Sequence, residues 1–209
     1  LESPPASRAV NIDRTAPATT ISSNGTMGNN GWYTSNVTVT LAATDNTSGA
    51  ATSEYSLNGG GNWTSYSAPF TVSVEGTTTV LARTRDNAGI LEAPPVSAAV
   101  KIDKTTPILT ETVVPSQIPK GKPNQMINIS YNGTASDPAS GLSVVNTTLI
   151  DEYGTYSQNL GSNLSGIVSV EQRANGNDQN GRTYTFRLTA TDMAGHQASV
   201  NAVATVSHD

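Results

Sequence analysis

Cysteine is absent from all 209 residues, so no disulfide can staple the fold, and stability must come from apolar cores or bound metal. Charged residues make up only 13 % of the chain and aromatics 5 %. Lys and Arg number 11 against 16 Asp and Glu, a formal net charge of −5. A protein that neutralises phosphates needs a basic stripe, and none is present, which excludes nucleic acid as a partner. There is no run of 18 apolar residues for a helical membrane span, so no membrane insertion is expected, and no segment reads as a signal peptide. The only histidines are His196, in a loop, and His208, at the end. With so few, no Ser-His-Asp arrangement, phosphate-cradling glycine loop or His-based zinc pattern can be assembled. The acids sit on turns without a recognisable cleft, so the segment reads as non-catalytic.

What the chain has in abundance is Thr, Ser, Gly, Asn and Val, a composition suited to half-buried strands and turns rather than surface helices. Residues 1–17, LESPPASRAVNIDRTAP, match residues 91–107, LEAPPVSAAVKIDKTTP, at 11 of 17 positions without a gap. The offset of 90 residues is the length of one β-sandwich domain. The division expected is residues 1–12 as the last strand of a preceding repeat, 13–103 as one domain and 104–209 as a second. Asp86 precedes Asp103 by 17 residues, and Asp192 precedes Asp209 by 17, in keeping with that division. Pro107 fixes its own φ and extends Thr106, predicting a short, stiff connection.

Period-two alternation marks the strands. In the first domain these are Thr19 to Ser22; Val37, Val39 and Leu41; Tyr55 and Leu57; Trp63 and Tyr66; Phe70, Val72 and Val74; Val80 and Ala82; and Val96 to Ile102. In the second, Ile127, Ile129 and Tyr131 form one inward face, and Tyr184, Phe186, Leu188 and Ala190 the other. The fold class expected is all-β, two tandem immunoglobulin-like antiparallel sandwiches with less than about a tenth of residues helical, well under the usual share. Asp137 and Asp192 lie 55 apart against 41 between Asp45 and Asp86. Extra length is therefore expected between them, near residues 153–166 or 175–181.

Six aspartates recur in equivalent places. Asp13 and Asp103 stand in the linkers, Asp45 and Asp137 follow the second strand, and Asp86 and Asp192 follow the sixth. In a sandwich these positions share one pole, which would bring Asp13, Asp45 and Asp86 together, and likewise Asp103, Asp137 and Asp192, at the interdomain junction. Three carboxylates with loop carbonyls suit calcium as a structural ion, since calcium takes six to eight hard oxygens. The simpler reading is that each Asp hydrogen-bonds its own turn. Trp32, Tyr33, Trp63 and Tyr66 read either as a sugar-stacking platform or as packing. A self-generated isopeptide link would need a buried lysine, and Lys101, Lys104, Lys120 and Lys122 cluster near the linker and an early loop.

The segments AATDNTSG, EYSLNGGGNWTSYSAPFTV, TRDNAG and IDKTTP resemble the tandem Ig-like repeats of bacterial and archaeal surface proteins, which also occur in secreted carbohydrate-active enzymes. The second half, with TASDPASGL, DEYGTYS and YTFRLTATDMAG, resembles a related module and is also similar to polycystic-kidney-disease-type domains. The resemblance implies an extracellular or cell-surface, structural or adhesive role. Its expected partners are neighbouring Ig-like repeats and a cell-surface polymer or protein. Spacer domains of a secreted enzyme and a surface-layer or filament subunit are the alternatives. Eight Asn-x-Ser/Thr sites, starting at Asn24, Asn36, Asn46, Asn62, Asn128, Asn132, Asn146 and Asn163, read either as loop composition or as glycosylation sites.

Overall fold

The computed structural model describes residues 7–208, and among them there is no helix, hence none long and apolar enough to cross a membrane. The chain divides into two compact units between Ile102 and Asp103, with the segment Met27–Thr34 belonging to the second.

In the first unit, β1 (Ala18–Asn24), β2 (Val37–Thr44) and β5 (Phe70–Val72) form one sheet in the order β1-β2-β5. A second sheet holds β3 (Ala50–Ser56), β4 (Thr64–Tyr66), β6 (Gly76–Asp86) and β7 (Val96–Ile102), in the order β4-β3-β6-β7. All these pairs are antiparallel, for example Ile21 opposite Leu41 and Val80 opposite Ala98. Alternate residues face inward: Val37, Val39, Leu41 and Val72 from one sheet, and Val80, Ala82, Val100 and Ile102 from the other, all buried. The exchange of sheets between the second and third strands is the immunoglobulin-like arrangement.

The second unit repeats it with an additional strand. One sheet is β13-β10-β8 and the other β12-β11-β14-β15-β9, built from β8 (Ile108–Val114), β9 (Gln117–Ile118), β10 (Met126–Ser136), β11 (Leu142–Asp151), β12 (Gln158–Gly161), β13 (Ser165–Glu171), β14 (Arg182–Asp192) and β15 (Gln197–Val206). Pairing is antiparallel except for β9, which lies parallel to β15 with Ile118 beside Val206. Ile129 and Tyr131 meet Tyr184 and Phe186 across the sandwich rather than along a ladder. The Tyr131 and Phe186 rings stack with centroids 5.4 Å apart.

Several strand expectations shift. Leu57 and Val74 fall just outside β3 and β5 and are exposed. Residues 7–12 form no strand, leaving Val10 and Ile12 exposed, whereas the matching Val96–Ile102 is a strand because β6 offers it a hydrogen-bonding edge; the rest of the expected strand, 1–6, lies outside the described residues. The extra length lies in longer β11 and β13 strands and in the connection 172–181 before β14, and the hairpin around 153–166 is no longer than its counterpart.

Two buried glutamates, one in each unit, are treated differently. Glu92 in the first is fully engaged: it accepts the Thr19 N–H at 3.0 Å, the Thr19 hydroxyl at 2.5 Å and the Thr84 N–H at 3.2 Å. Glu111 in the second is 9 % exposed, lies over Gly133, and has no partner for either oxygen. Desolvation raises its pKa above the ordinary value of 4.5. A raised acid stabilises the fold while protonated, and that contribution disappears as pH rises through the folded-state pKa. Glu111→Leu is therefore expected to stabilise the unit by about 1–2 kcal/mol at pH 7, with the gain shrinking toward pH 4. Urea unfolding at both pH values checks this; equal gains would show that the carboxylate charge is not the cause.

Candidate functional site

At one pole of the first unit, Asp13, Asp45 and Asp86 each bring a carboxylate oxygen within 4.8 Å of the others. Local chemistry places each one. Asp45 opens the loop Asp45-Asn-Thr-Ser-Gly49, and its Oδ1 accepts the backbone N–H groups of Thr47 (3.2 Å), Ser48 (2.9 Å) and Gly49 (2.7 Å). That ring of donors closes because Gly49 adopts φ +84°, which a side chain would disfavour. Asp86 Oδ1 accepts the Ile90 N–H at 2.7 Å. Asp13 Oδ1 accepts the Thr15 N–H and hydroxyl, and its Oδ2 accepts the Ser48 N–H at 3.0 Å, fastening the linker to the loop. Hydrogen bonds from Ser48 and Thr15 hold the Asp13 carboxyl down at about 2. An open depression of about 420 Å³, lined by Asn11, Ile12, Asp13, Thr47, Ser48, Asn87 and Ala88, leads to the cluster.

The second unit repeats the Oδ1 bonds, while Asp103 Oδ2 lacks the loop N–H that Asp13 Oδ2 receives from Ser48. Asp137 Oδ1 accepts the N–H groups of Ala139, Ser140 and Gly141, and Gly141 has φ +81°. Asp192 Oδ1 accepts the His196 N–H at 2.9 Å, as Asp86 does that of Ile90. Asp103 Oδ1 accepts the Thr105 N–H and hydroxyl, as Asp13 does with Thr15. Met193 N–H donates to Gly141 O at 2.9 Å, matching Asn87 N–H on Gly49 O at 3.0 Å. The segment Met27–Thr34 completes the surroundings, with Asn29 N–H donating to Ala194 O and Asp103 N–H to Tyr33 O. Gly28 is needed there because a Cβ would stand 2.5 Å from Ala194 O.

The second cluster departs from the expected triple. The residue grouped with Asp103 and Asp192 is His196, not Asp137. The reason is local: Asp13 is drawn to the Asp45 loop by the Ser48 N–H on its Oδ2, whereas Asp103 Oδ2 makes no such bond to the Asp137 loop, and the fourth residue after Asp192 is a histidine whose Nδ1 lies 3.0 Å from Asp192 Oδ2. His196 stands four positions after Asp192, where the first unit has Ile90 four after Asp86, so the repeat itself carries no signal for it.

Both sequence readings of the aspartates describe part of the geometry. In each carboxylate Oδ1 serves the turn, as the Asx reading requires. The second oxygens of Asp86, Asp103 and Asp137 are buried with no hydrogen-bond partner, and Asp86 and Asp103 are 2 % and 0 % exposed. A buried carboxylate oxygen without a donor is expensive, and a divalent cation would neutralise that of Asp86 in the first cluster and that of Asp103 in the second, whereas Asp137 belongs to neither cluster. The first cluster, all oxygen, fits calcium; the second adds an imidazole nitrogen.

The other candidates are weaker. Trp63 has the Arg83 guanidinium 3.8 Å from its ring centroid, and Tyr66 packs edge-on against Phe70, so these rings do not form one open platform. None of the four lysines is buried.

No protein-family model and no curated protein matches the chain. Solved structures resemble the chain at low similarity. One is a bacterial ice-binding adhesin described for host cell surface retention, 20 % identical over 93 % of this chain and 65 % of that one, with a TM-score of 0.42. Another is a Ca2+-stabilised adhesin of an Antarctic bacterium, 20 % identical over 94 % of this chain and 50 % of that one, at 0.40. A third comprises the fibronectin(III)-like modules of Clostridium thermocellum CbhA, 15 % identical over 91 % of this chain and 94 % of that one, at 0.34. The chain thus spans about two thirds of the first of these and half of the second. Identities and scores this low assign no function to it.

Proposed function

We propose that this chain is a non-catalytic structural and adhesive segment of an extracellular tandem array, with calcium tying linker to loops in the first unit. The observation that supports the reading most is the recurrence of one device. In both units a linker aspartate, a loop aspartate ahead of a left-handed glycine, and an aspartate after the long penultimate strand make the same backbone bonds. A stereotyped pole of this kind is what head-to-tail repeats need, because each linker must leave its domain in a fixed direction. The partners proposed are further repeats of the same type, with a cell-surface polymer or protein as target.

Calcium added to chelator-stripped protein is expected to raise the melting temperature of the first unit by roughly 10 °C at a hundredfold excess over Kd. Asp86→Asn, which removes a buried charge, should abolish most of the response while leaving the strands intact by circular dichroism. A melting temperature indifferent to both calcium and chelator would overturn the calcium assignment.

A further inference from the structure

Where the first unit places Ile90, the second places His196, and the two backbones there are held alike. Asp86 and Asp192 each receive the N–H of the residue four positions on and donate their own N–H to that residue's carbonyl, both at 3.0 Å. The substitution therefore changes the donor set of the pole without changing its scaffold. Isoleucine offers no ligand atom. Histidine brings Nδ1 to 3.0 Å from Asp192 Oδ2, and a ring nitrogen to within 4.8 Å of an Asp103 oxygen.

We propose that Asp103, Asp192 and His196 form a transition-metal site of the zinc class, chemically distinct from the all-oxygen cluster of the first unit. Two observations carry it besides the grouping. Asp103 is fully buried, its Oδ1 is occupied by Thr105, and its Oδ2 has no hydrogen-bond partner. The Asp192 side chain is also shut from solvent, and two buried carboxylates with one imidazole form a set that a divalent ion neutralises. Calcium prefers hard oxygen throughout, whereas imidazole nitrogen with carboxylate oxygen suits zinc and its first-row neighbours. Zinc binds nitrogen and carboxylate oxygen at about 2.0–2.2 Å, so two ligand atoms 3.0 Å apart can share one ion. His196 is partly exposed, giving the ion a way in and a place for water as a further ligand. The inference rests on reading these poles as cation sites, but it requires nothing of calcium in the first unit.

The test titrates chelator-stripped protein with Zn2+ and follows the His196 ring by 1H–15N NMR together with thermal unfolding. Zinc is expected to bind one equivalent, shift Nδ1 of His196 and raise the melting temperature of the second unit. His196→Ala should weaken binding by more than about a hundredfold, beyond the loss typical of residues that only support a ligand. His208→Ala should bind as the parent does. The reciprocal Ile90→His should give the first unit a zinc response that it lacks. Binding that survives His196→Ala, or a ring signal unmoved by zinc, would overturn the proposal. Calcium stabilisation of the first unit sensitive to Asp86→Asn, seen alongside such a failure, would leave the calcium reading standing and sink this inference alone.

Discussion

Arg182→Met is expected to remove about 3–5 kcal/mol from the stability of the second unit, a large part of what a domain of this size possesses. Arg182 opens β14, at the end of that strand opposite Asp192, and is 2 % exposed. Its Nε and Nη2 donate to the two oxygens of Asp151 at 2.9 and 2.7 Å, and Nη1 donates to Glu171 at 3.1 Å. The rings of Tyr153, Tyr156 and Tyr184 lie 4.5 to 5.2 Å from the guanidinium carbon. Methionine would keep most of the packing volume but leave Asp151 charged, buried and short of its counter-ion. Burial pushes the Asp151 carboxyl up, yet hydrogen bonds from Arg182, Tyr156 and Tyr153 more than offset this and hold it below its ordinary value of 3.8. A depressed acid contributes stability above its unfolded pKa, and that contribution is lost as pH falls through the folded value. The parent should therefore weaken below about pH 4, where the penalty of the methionine variant should shrink because Asp151 is neutralised. Chemical unfolding from pH 7 to pH 3 checks both points, and a penalty independent of pH would mean that lost packing, not the stranded charge, is responsible.

Phe186→Ala should cost about 3–5 kcal/mol, again in the second unit. Phe186 is fully buried, stacks on Tyr131 and belongs to the cluster that also contains Ile118, Ile129, Leu149, Tyr184 and Val206. Six residues before the terminal aspartate of its strand, it occupies the place that Val80 holds in the first unit. Val80→Ala removes two methyl groups and should cost about 2 kcal/mol. The comparison separates two ways of building one fold: a thin aliphatic core supplemented by the Thr19, Thr84 and Glu92 hydrogen bonds, and a thicker aromatic core. Calorimetry of the two variants checks it. Equal losses would contradict the difference in core construction.

The alternating strands were legible because each has one wet and one dry face, so Val37, Val39 and Leu41 announce β2 without help. β9 was not, since two residues bridging in parallel to β15 leave no periodic trace. Leu57 and Val74 misled by continuing an apolar alternation past the last ladder bond. The loop aspartates could be found because turn chemistry ties Asp45 to Gly49 and Asp137 to Gly141 at fixed spacing. His196 could not be recognised as a ligand candidate in the same way. The first unit has Ile90 at that place, so the repeat that singled out the aspartates passes over it. The Arg182–Asp151 pair escaped because its members are distant along the chain, although a lone arginine beside tyrosine-rich segments is the kind of signal that betrays a buried cation.

The Trp63–Arg83 contact has a spectroscopic consequence. The chain holds only two tryptophans, and they fall in different units: Trp63 in the first and Trp32, on the segment Met27–Thr34, in the second. Selective excitation of indole therefore reads two sites without any introduced dye. Trp32→Phe leaves Trp63 as the sole emitter, its ring capped by a guanidinium at 3.8 Å that Glu54 holds in place. Opening of the first unit removes that cap and bares the indole to water, so emission from this one ring follows the first unit while the second unfolds unseen.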